Sequence, residues 1–134
     1  MNVLVDTSVW SLLLRRQEPG ESDEAHELRE LIREDRVVLV GPVRQELLSG
    51  IRSAKQFESL REHLRGFPDV SLGPADYEDA AACFNSCRAK GVQGSNTDFL
   101  LCALSLSRDF SIFTTDQDFV GFRRVLRLKL HQPR

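Results

Sequence analysis

The sequence predicts an α/β domain in three layers, with a central, mostly parallel sheet of four to five strands flanked by helices. Short apolar runs, Val3-Leu4-Val5, Val37-Val38-Leu39-Val40 and Ser111-Ile112-Phe113-Thr114, are too brief for helices and branched enough for buried strands. Between them lie stretches with apolar residues at helical spacing, and strands alternating with helices imply a parallel sheet covered by helices. At 134 residues, 41% hydrophobic and 28% charged, the chain matches one soluble globular domain, residues 1–134.

Each element has its own justification. After Asp6, Val9, Trp10, Leu12, Leu13 and Leu14 give one side of a short helix, which ends before a polar loop with a Pro19-Gly20 turn. Ser22 or Asp23 caps the next helix, which runs to about residue 35 with Ala25, Leu28, Leu31 and Ile32 on one face. Residues 37–40 form the second strand. Gly41-Pro42 breaks it, and Pro42 suits the first turn of a helix that carries Val43, Leu47, Leu48 and Ile51 inward.

A further helix follows over residues 54–64, with Phe57, Leu60 and Leu64 on its buried side, and residues 70–72 form a weak third strand. A long helix covers residues 75–90, where Ala80, Ala81, Phe84 and Cys87 allow close packing and Gly91 closes the end. The next helix spans residues 97–107. Residues 111–114 form the fourth strand, and residues 125–130 alternate apolar and basic, as a fifth strand at an edge would.

Composition excludes several classes of function. No apolar run approaches the roughly 18 residues of a membrane span, and the N-terminus lacks the basic and apolar regions of a signal peptide, so a cytoplasmic protein with no membrane partner is expected. Cys83, Cys87 and Cys102 are an odd number in helical stretches and read as reduced core thiols. His26, His63 and His131 are scattered, which leaves Cys83 and Cys87 without partners for a zinc site. Neither a Gly-x-x-x-x-Gly-Lys loop nor a Gly-x-Gly-x-x-Gly turn is present to cradle a nucleotide.

The net charge of −2 hides an asymmetry. Residues 18–35 hold eight acids against Arg29 and Arg33, whereas residues 119–134 hold no acid and carry Arg123, Arg124, Arg127, Lys129 and Arg134. The basic end suits either phosphate contacts or a charged, solvated edge strand.

Four acids stand apart from those on outward helix faces. Asp6 directly follows the first strand, and Asp116 directly follows the fourth. Asp98 lies in the first turn of its helix and Glu46 one turn into another, on an otherwise apolar stripe. In a parallel sheet these positions share the carboxyl edge, where ligands collect. Four carboxylates in one cleft repel unless protons or cations neutralise them, and oxygen-only ligands select hard ions, Mg²⁺ or Mn²⁺. Such ions support displacement at phosphorus. The alternative is structural: Asp6, Asp98 and Asp116 as helix caps, and Glu46 paired with Arg44 or Arg52.

Asp6-Thr7-Ser8 after a strand, Glu46 within residues 44–50, Asp98-Phe99-Leu100-Leu101-Cys102-Ala103 and Thr114-Thr115-Asp116-Gln117-Asp118-Phe119 occur in order across nearly the whole chain. Together they resemble a PIN domain and, more narrowly, the VapC toxins of bacterial and archaeal toxin–antitoxin pairs. The resemblance implies a Mg²⁺- or Mn²⁺-dependent ribonuclease whose acidic quartet is Asp6, Glu46, Asp98 and Asp116. It also implies that Ser8 is the small hydroxyl residue beside the first acid and Asp118 an auxiliary acid. A homodimer and a cognate VapB-type antitoxin, whose tail can occupy the acidic site, are implied as partners. Cys102 departs from the family's usual aliphatic-alanine run, which affects local packing.

On this reading a metal-activated water hydrolyses RNA, while Arg15, Arg16 and the C-terminal bases hold flanking phosphates. Trp10 either stacks a base or fills the core or a dimer interface. Two rivals remain. One is an inert PIN-like module that only binds a partner protein. The other is a phosphatase with an aspartyl intermediate at Asp6, which usually needs a second acid where Ser8 stands.

Overall fold

The computed structural model describes residues 1–14 and 21–134. Three strands and seven helices follow in the order β1 (Val3–Val5), α1 (Thr7–Leu14), α2 (Asp23–Arg33), β2 (Val37–Val38), α3 (Gly41–Leu48), α4 (Ala54–Leu64), α5 (Pro74–Ala89), α6 (Asn96–Arg108), β3 (Ser111–Phe113) and α7 (Asp118–Leu126). The strands form a parallel sheet in the order β2-β1-β3, with Val3 opposite both Val37 and Ser111. All of β1 is buried, so the strand that precedes Asp6 is the centre of the fold.

The sheet has three strands among the described residues, fewer than the four to five expected. The expected third strand contributes one parallel bridge, Leu39 to Asp69, sealed by Val70 N–H donating to the Leu39 carbonyl at 2.8 Å. Pro68 on one side and Gly73-Pro74 on the other leave too little chain with free N–H groups to extend it. The expected fifth strand is likewise one bridge, Ile112 to Leu130.

Residues 118–126, which include the start of that supposed strand, are instead helical. Phe119 and Phe122 lie three residues apart on the buried side of α7, and burying each is worth about 1.5–3 kcal/mol. That outweighs the local alternation of Val125 and Leu126 with arginines. The helix ends where Arg127 turns left-handed at φ 56°.

The remaining helices lie close to where apolar spacing placed them, except that α3 ends before Ile51, which was expected on its inward face, and Ala81 on α5 is exposed rather than packed. Ser22, Ser53 and Ser95 cap α2, α4 and α6 by accepting a backbone N–H at the third helical position. Gly91 follows α5 at φ 76°, a conformation that glycine adopts without strain. A Cβ at Gly94 would lie 2.9 Å from Phe122 Cε1 and 3.1 Å from Phe99 Cε2, so only glycine lets this loop press onto the aromatic core. The next residue is Ser95, the cap of α6.

Trp10 is fully buried and meets the edge of Phe67 at 5.2 Å between ring centroids, which makes it a core residue. Cys83, Cys87 and Cys102 are buried free thiols, each pushed upward in pKa first by burial. Among the described residues no helix is long and apolar enough to cross a membrane.

Charge asymmetry resolves into contacts between the two ends of the chain. Arg134 donates to Glu27 at 2.9 Å and to both oxygens of Glu34 at 2.6 and 2.9 Å, and His131 Nε2 donates to Glu27 Oε2 at 2.6 Å. Arg134, then Arg36, holds the Glu34 carboxyl down at about 2. Arg134 and His131 thus strap the end of the basic segment to the acidic helix α2, while Leu130 meets the sheet edge through its single bridge to Ile112. Lys129 is paired with Asp109.

Candidate active site

Asp6 sits where β1 stops and α1 begins. Its N–H donates to the Phe113 carbonyl at the end of β3 at 2.9 Å, and its own carbonyl accepts from Val9 and Trp10 to start the helix. The residue is buried, with 7% of its surface exposed. Two hydroxyls share its Oδ2, Ser8 Oγ at 2.8 Å and Thr114 Oγ1 at 2.8 Å. Each of those hydroxyls accepts a backbone N–H in return, from Thr115 onto Ser8 at 3.1 Å and from Asp116 onto Thr114 at 3.0 Å. The ends of β1 and β3 are therefore stitched together through one carboxylate oxygen.

Asp116 follows that stitch directly. Its Oδ1 accepts the Asp118 N–H at 2.9 Å and opens α7, while the Asp118 side chain itself is exposed. Asp98 occupies the third position of α6, where its Oδ2 accepts the Ser95 N–H at 3.2 Å and Ser95 Oγ accepts the Asp98 N–H at 3.1 Å. The capping alternative thus holds for Asp98 and, in a turn, for Asp116, but each uses one oxygen for it. Asp6 instead takes hydroxyl protons. Among the described residues the second oxygen of each aspartate accepts no hydrogen bond from the protein.

Glu46 is exposed on α3. Arg44, one of its two alternative partners, is engaged instead with Asp69 at 2.7 Å. The Glu46 carboxyl is held above its ordinary range first by partial desolvation, then by the charges of Asp6 and Asp98. Asp98 is raised as well, first by desolvation and then, against its bonds to Ser95, by Asp6 and Asp116. Charge thus couples Glu46 on α3 to Asp6 and Asp98, and Asp98 on α6 to Asp6 after β1 and Asp116 in the β3–α7 turn. Even so, no three His, Cys, Asp or Glu side chains among the described residues are gathered tightly enough to hold a metal ion as they stand.

Thr114 is the residue to which the sequence reading gave no role. It bonds Asp6 and positions the backbone of Asp116, across 108 positions of sequence in the first case. The available signal was the pair of hydroxyl residues ahead of Asp116 at a strand end. Of the expected phosphate contacts, Arg15 and Arg16 lie outside the described residues, as does the Pro19-Gly20 turn. Arg123, Arg124 and Arg127 are exposed.

Residues 3–125 match the family model described as PIN domain. The chain belongs to the PIN domain family. It is 29% identical over 131 residues to "VapC ribonuclease Mb1587" of Mycobacterium bovis and to "Ribonuclease VapC11" of Mycobacterium tuberculosis, covering 95% of this chain and 96% of each relative. Among solved structures, VapBC2 from Rickettsia felis, bound to a DNA fragment from its promoter, superposes with a TM-score of 0.77 at 16% identity over 98% of both chains. FitAcB from Neisseria gonorrhoeae gives 0.74 at 22% identity over 98% of this chain and 97% of that one. These similarities show that the PIN fold, with its parallel sheet between helices, is the fold of this chain.

Proposed function

We propose that this PIN-domain protein is a ribonuclease of the VapC type, which hydrolyses RNA phosphodiester bonds at Asp6, Glu46, Asp98 and Asp116 with Mg²⁺ or Mn²⁺. The observation that carries the reading is the state of the three aspartates, each fixed by one oxygen with the other left without a protein donor. Hard oxygen donors of this kind, each with one oxygen left over from the protein's own hydrogen bonds, fit a small divalent cation. When bound, the ion supplies neutralising charge, a lowered pKa for the attacking water and stabilisation of the leaving oxygen.

The chain's own groups supply the rest. Asp6, Asp98 and Asp116 hold the charge at fixed positions, and Ser8 and Thr114 keep Asp6 from rotating. Glu46, on α3 within the field of Asp6 and Asp98, holds the ion or orients the attacking water. Asp118 contributes the backbone N–H that fixes Asp116. Exposed Arg123 and Arg124 on α7 are available to flanking phosphates of single-stranded RNA.

The resemblance to VapC toxins implies a homodimer, and the likeness to the toxin of VapBC2 supports restraint by a VapB-type antitoxin. A cleft of about 600 Å³, in which Leu13, Leu14, Ile51 and Leu60 alternate with Arg29, Gln56, Ser59 and His63, offers a mixed apolar and polar face for such a partner.

Cleavage of total RNA with Mg²⁺ or Mn²⁺, with and without chelator, tests the activity against Asp6→Asn and Asp98→Asn. Loss of metal-dependent cutting in both is expected, by about 10²–10⁴-fold for several kcal/mol of transition-state stabilisation. Unchanged cutting in folded variants would sink the quartet. Sedimentation of the chain alone and with a co-expressed VapB-type protein reports the assembly, and a lone monomer that binds no such partner would refute it.

A further inference from the structure

The strap of residues 128–134 does more than neutralise α2: it forms one wall of a cleft of about 370 Å³ whose opposite wall is the β3–α7 turn that carries Asp116. We propose that this cleft receives a nucleobase beside the scissile phosphate, and that Gln117 and Gln132 read its hydrogen-bonding edge. This rests on the ribonuclease reading and names the part of the site that selects where RNA is cut.

Position is the first argument. Asp116 lines the cleft and also belongs to the proposed acidic quartet, so the cleft adjoins that site through one shared residue. The volume lies near the lower end of the usual small-ligand range of about 300–1,000 Å³, which suits a single nucleoside.

Chemistry is the second. Thr115, Gln117, His131 and Gln132 supply hydrogen-bonding groups, while the acids present are Glu24 and Asp116. No Lys or Arg lines the cleft among the described residues, so it repels a phosphate and favours a neutral, polar, flat group. Val120, Leu130 and Pro133 give that group an apolar face to lie against. Each glutamine amide presents a donor and an acceptor side by side, as bidentate reading of a base edge requires.

Gln117 is notable for what it does not do. It occupies the N-cap of α7, a position that favours Ser, Thr, Asp or Asn, and its side chain makes no capping hydrogen bond. Capping does not explain a glutamine there.

Rigidity is the third argument. The strap is fixed by Ile112 N–H to the Lys129 carbonyl and His131 N–H to the Ile112 carbonyl, both at 2.8 Å. Beneath it Glu27, 2% exposed, takes His131 on one oxygen and Arg134 on the other. A buried carboxylate is costly to leave unpaired, so Glu27 commits both residues and places Gln132 and Pro133 between them. A wall fixed in advance can discriminate between bases; a mobile one adapts to each.

The experiment sequences the 5′ ends cut from a single-stranded oligonucleotide pool randomised around the cleavage position, by wild type, Gln117→Ala and Gln132→Ala. At one position beside the cut, the ratio between the best and worst base should fall at least about fivefold in each variant, with other positions unchanged. A second measurement is independent of catalysis: adenosine, cytidine, guanosine and uridine are titrated into Asp6→Asn protein while the side-chain amide NMR signals of Gln117 and Gln132 are followed. Selective shifts by one or two nucleosides support the cleft. If wild type leaves RNA uncut while nucleosides still move these amides, the ribonuclease reading fails and the cleft stands. Unaltered base preference in both folded variants, or amide signals that no nucleoside moves, overturns the proposal.

Discussion

The two halves of the acidic site are built differently. Asp6 and Asp116 belong to the ends of neighbouring strands and are joined by two hydroxyls that each donate to Asp6 and accept a backbone N–H. Asp98 and Glu46 come from helices. Their carboxyls are raised in pKa first by desolvation and then by neighbouring acids, Asp98 despite its bonds to Ser95. The strand half is held by hydrogen bonds from both strands; the helix half carries partly desolvated carboxyls that repel their neighbours.

Loading with a divalent ion should test that contrast with the largest effect. An ion that binds only the folded state adds about 2.7 kcal/mol of stability at a hundredfold excess over its dissociation constant. Calorimetry of wild type with Mg²⁺ or Mn²⁺ should show this upward shift, and Asp98→Asn should lose most of it. An equal shift in Asp98→Asn would mean that the strand half binds the ion alone, and the helix half would need another explanation.

The strand half can be broken without touching an acid. Thr114→Val keeps the shape but removes the donor to Asp6 and the acceptor for Asp116 N–H. A loss of about 1–2 kcal/mol is expected in urea unfolding, restored by Thr114→Ser. In the helix half, Ser95→Ala should cost about 1 kcal/mol as the loss of one cap. If the Ser95 variant proves the more damaging, rigidity does not reside at the strand ends.

How much of this was legible in the sequence depended on the range of the signal. Asp6, Asp98 and Asp116 stood out because a strand end or helix start is written in the residues beside it. Helix α7 was obscured by a real conflict: Phe119, Phe122 and Leu126 repeat as a helix, while the stretch from Val125 to Leu130 alternates as a strand. The buried aromatic pair decided it. Glu27 read as one more acid on a polar helix, since the residues that bury it, His131 and Arg134, lie 104 and 107 positions away. Thr114 was silent for the same reason: pairing across the whole chain leaves no trace in local periodicity, although the sheet order β2-β1-β3 makes such pairing inevitable.

The smallest effect is the most specific to the helix half. With the Glu46 carboxyl raised, the folded protein holds that proton more tightly than the unfolded chain does. The stabilisation linked to Glu46 is therefore full in acid, below the unfolded value, and is lost as pH rises through the folded one. At neutral pH without metal, the charged side chain works against the fold. Glu46→Gln should then make the metal-free protein more stable at pH 7, by a few tenths of a kcal/mol once solvent screening of this exposed group is allowed for. Below pH 4 the difference between variant and wild type should shrink, because both side chains are then uncharged. Paired chemical unfolding at the two pH values measures it. A variant less stable than wild type at pH 7 would show that Glu46 has a favourable partner in the free protein, and that the helix half is held by more than repulsion and a cap.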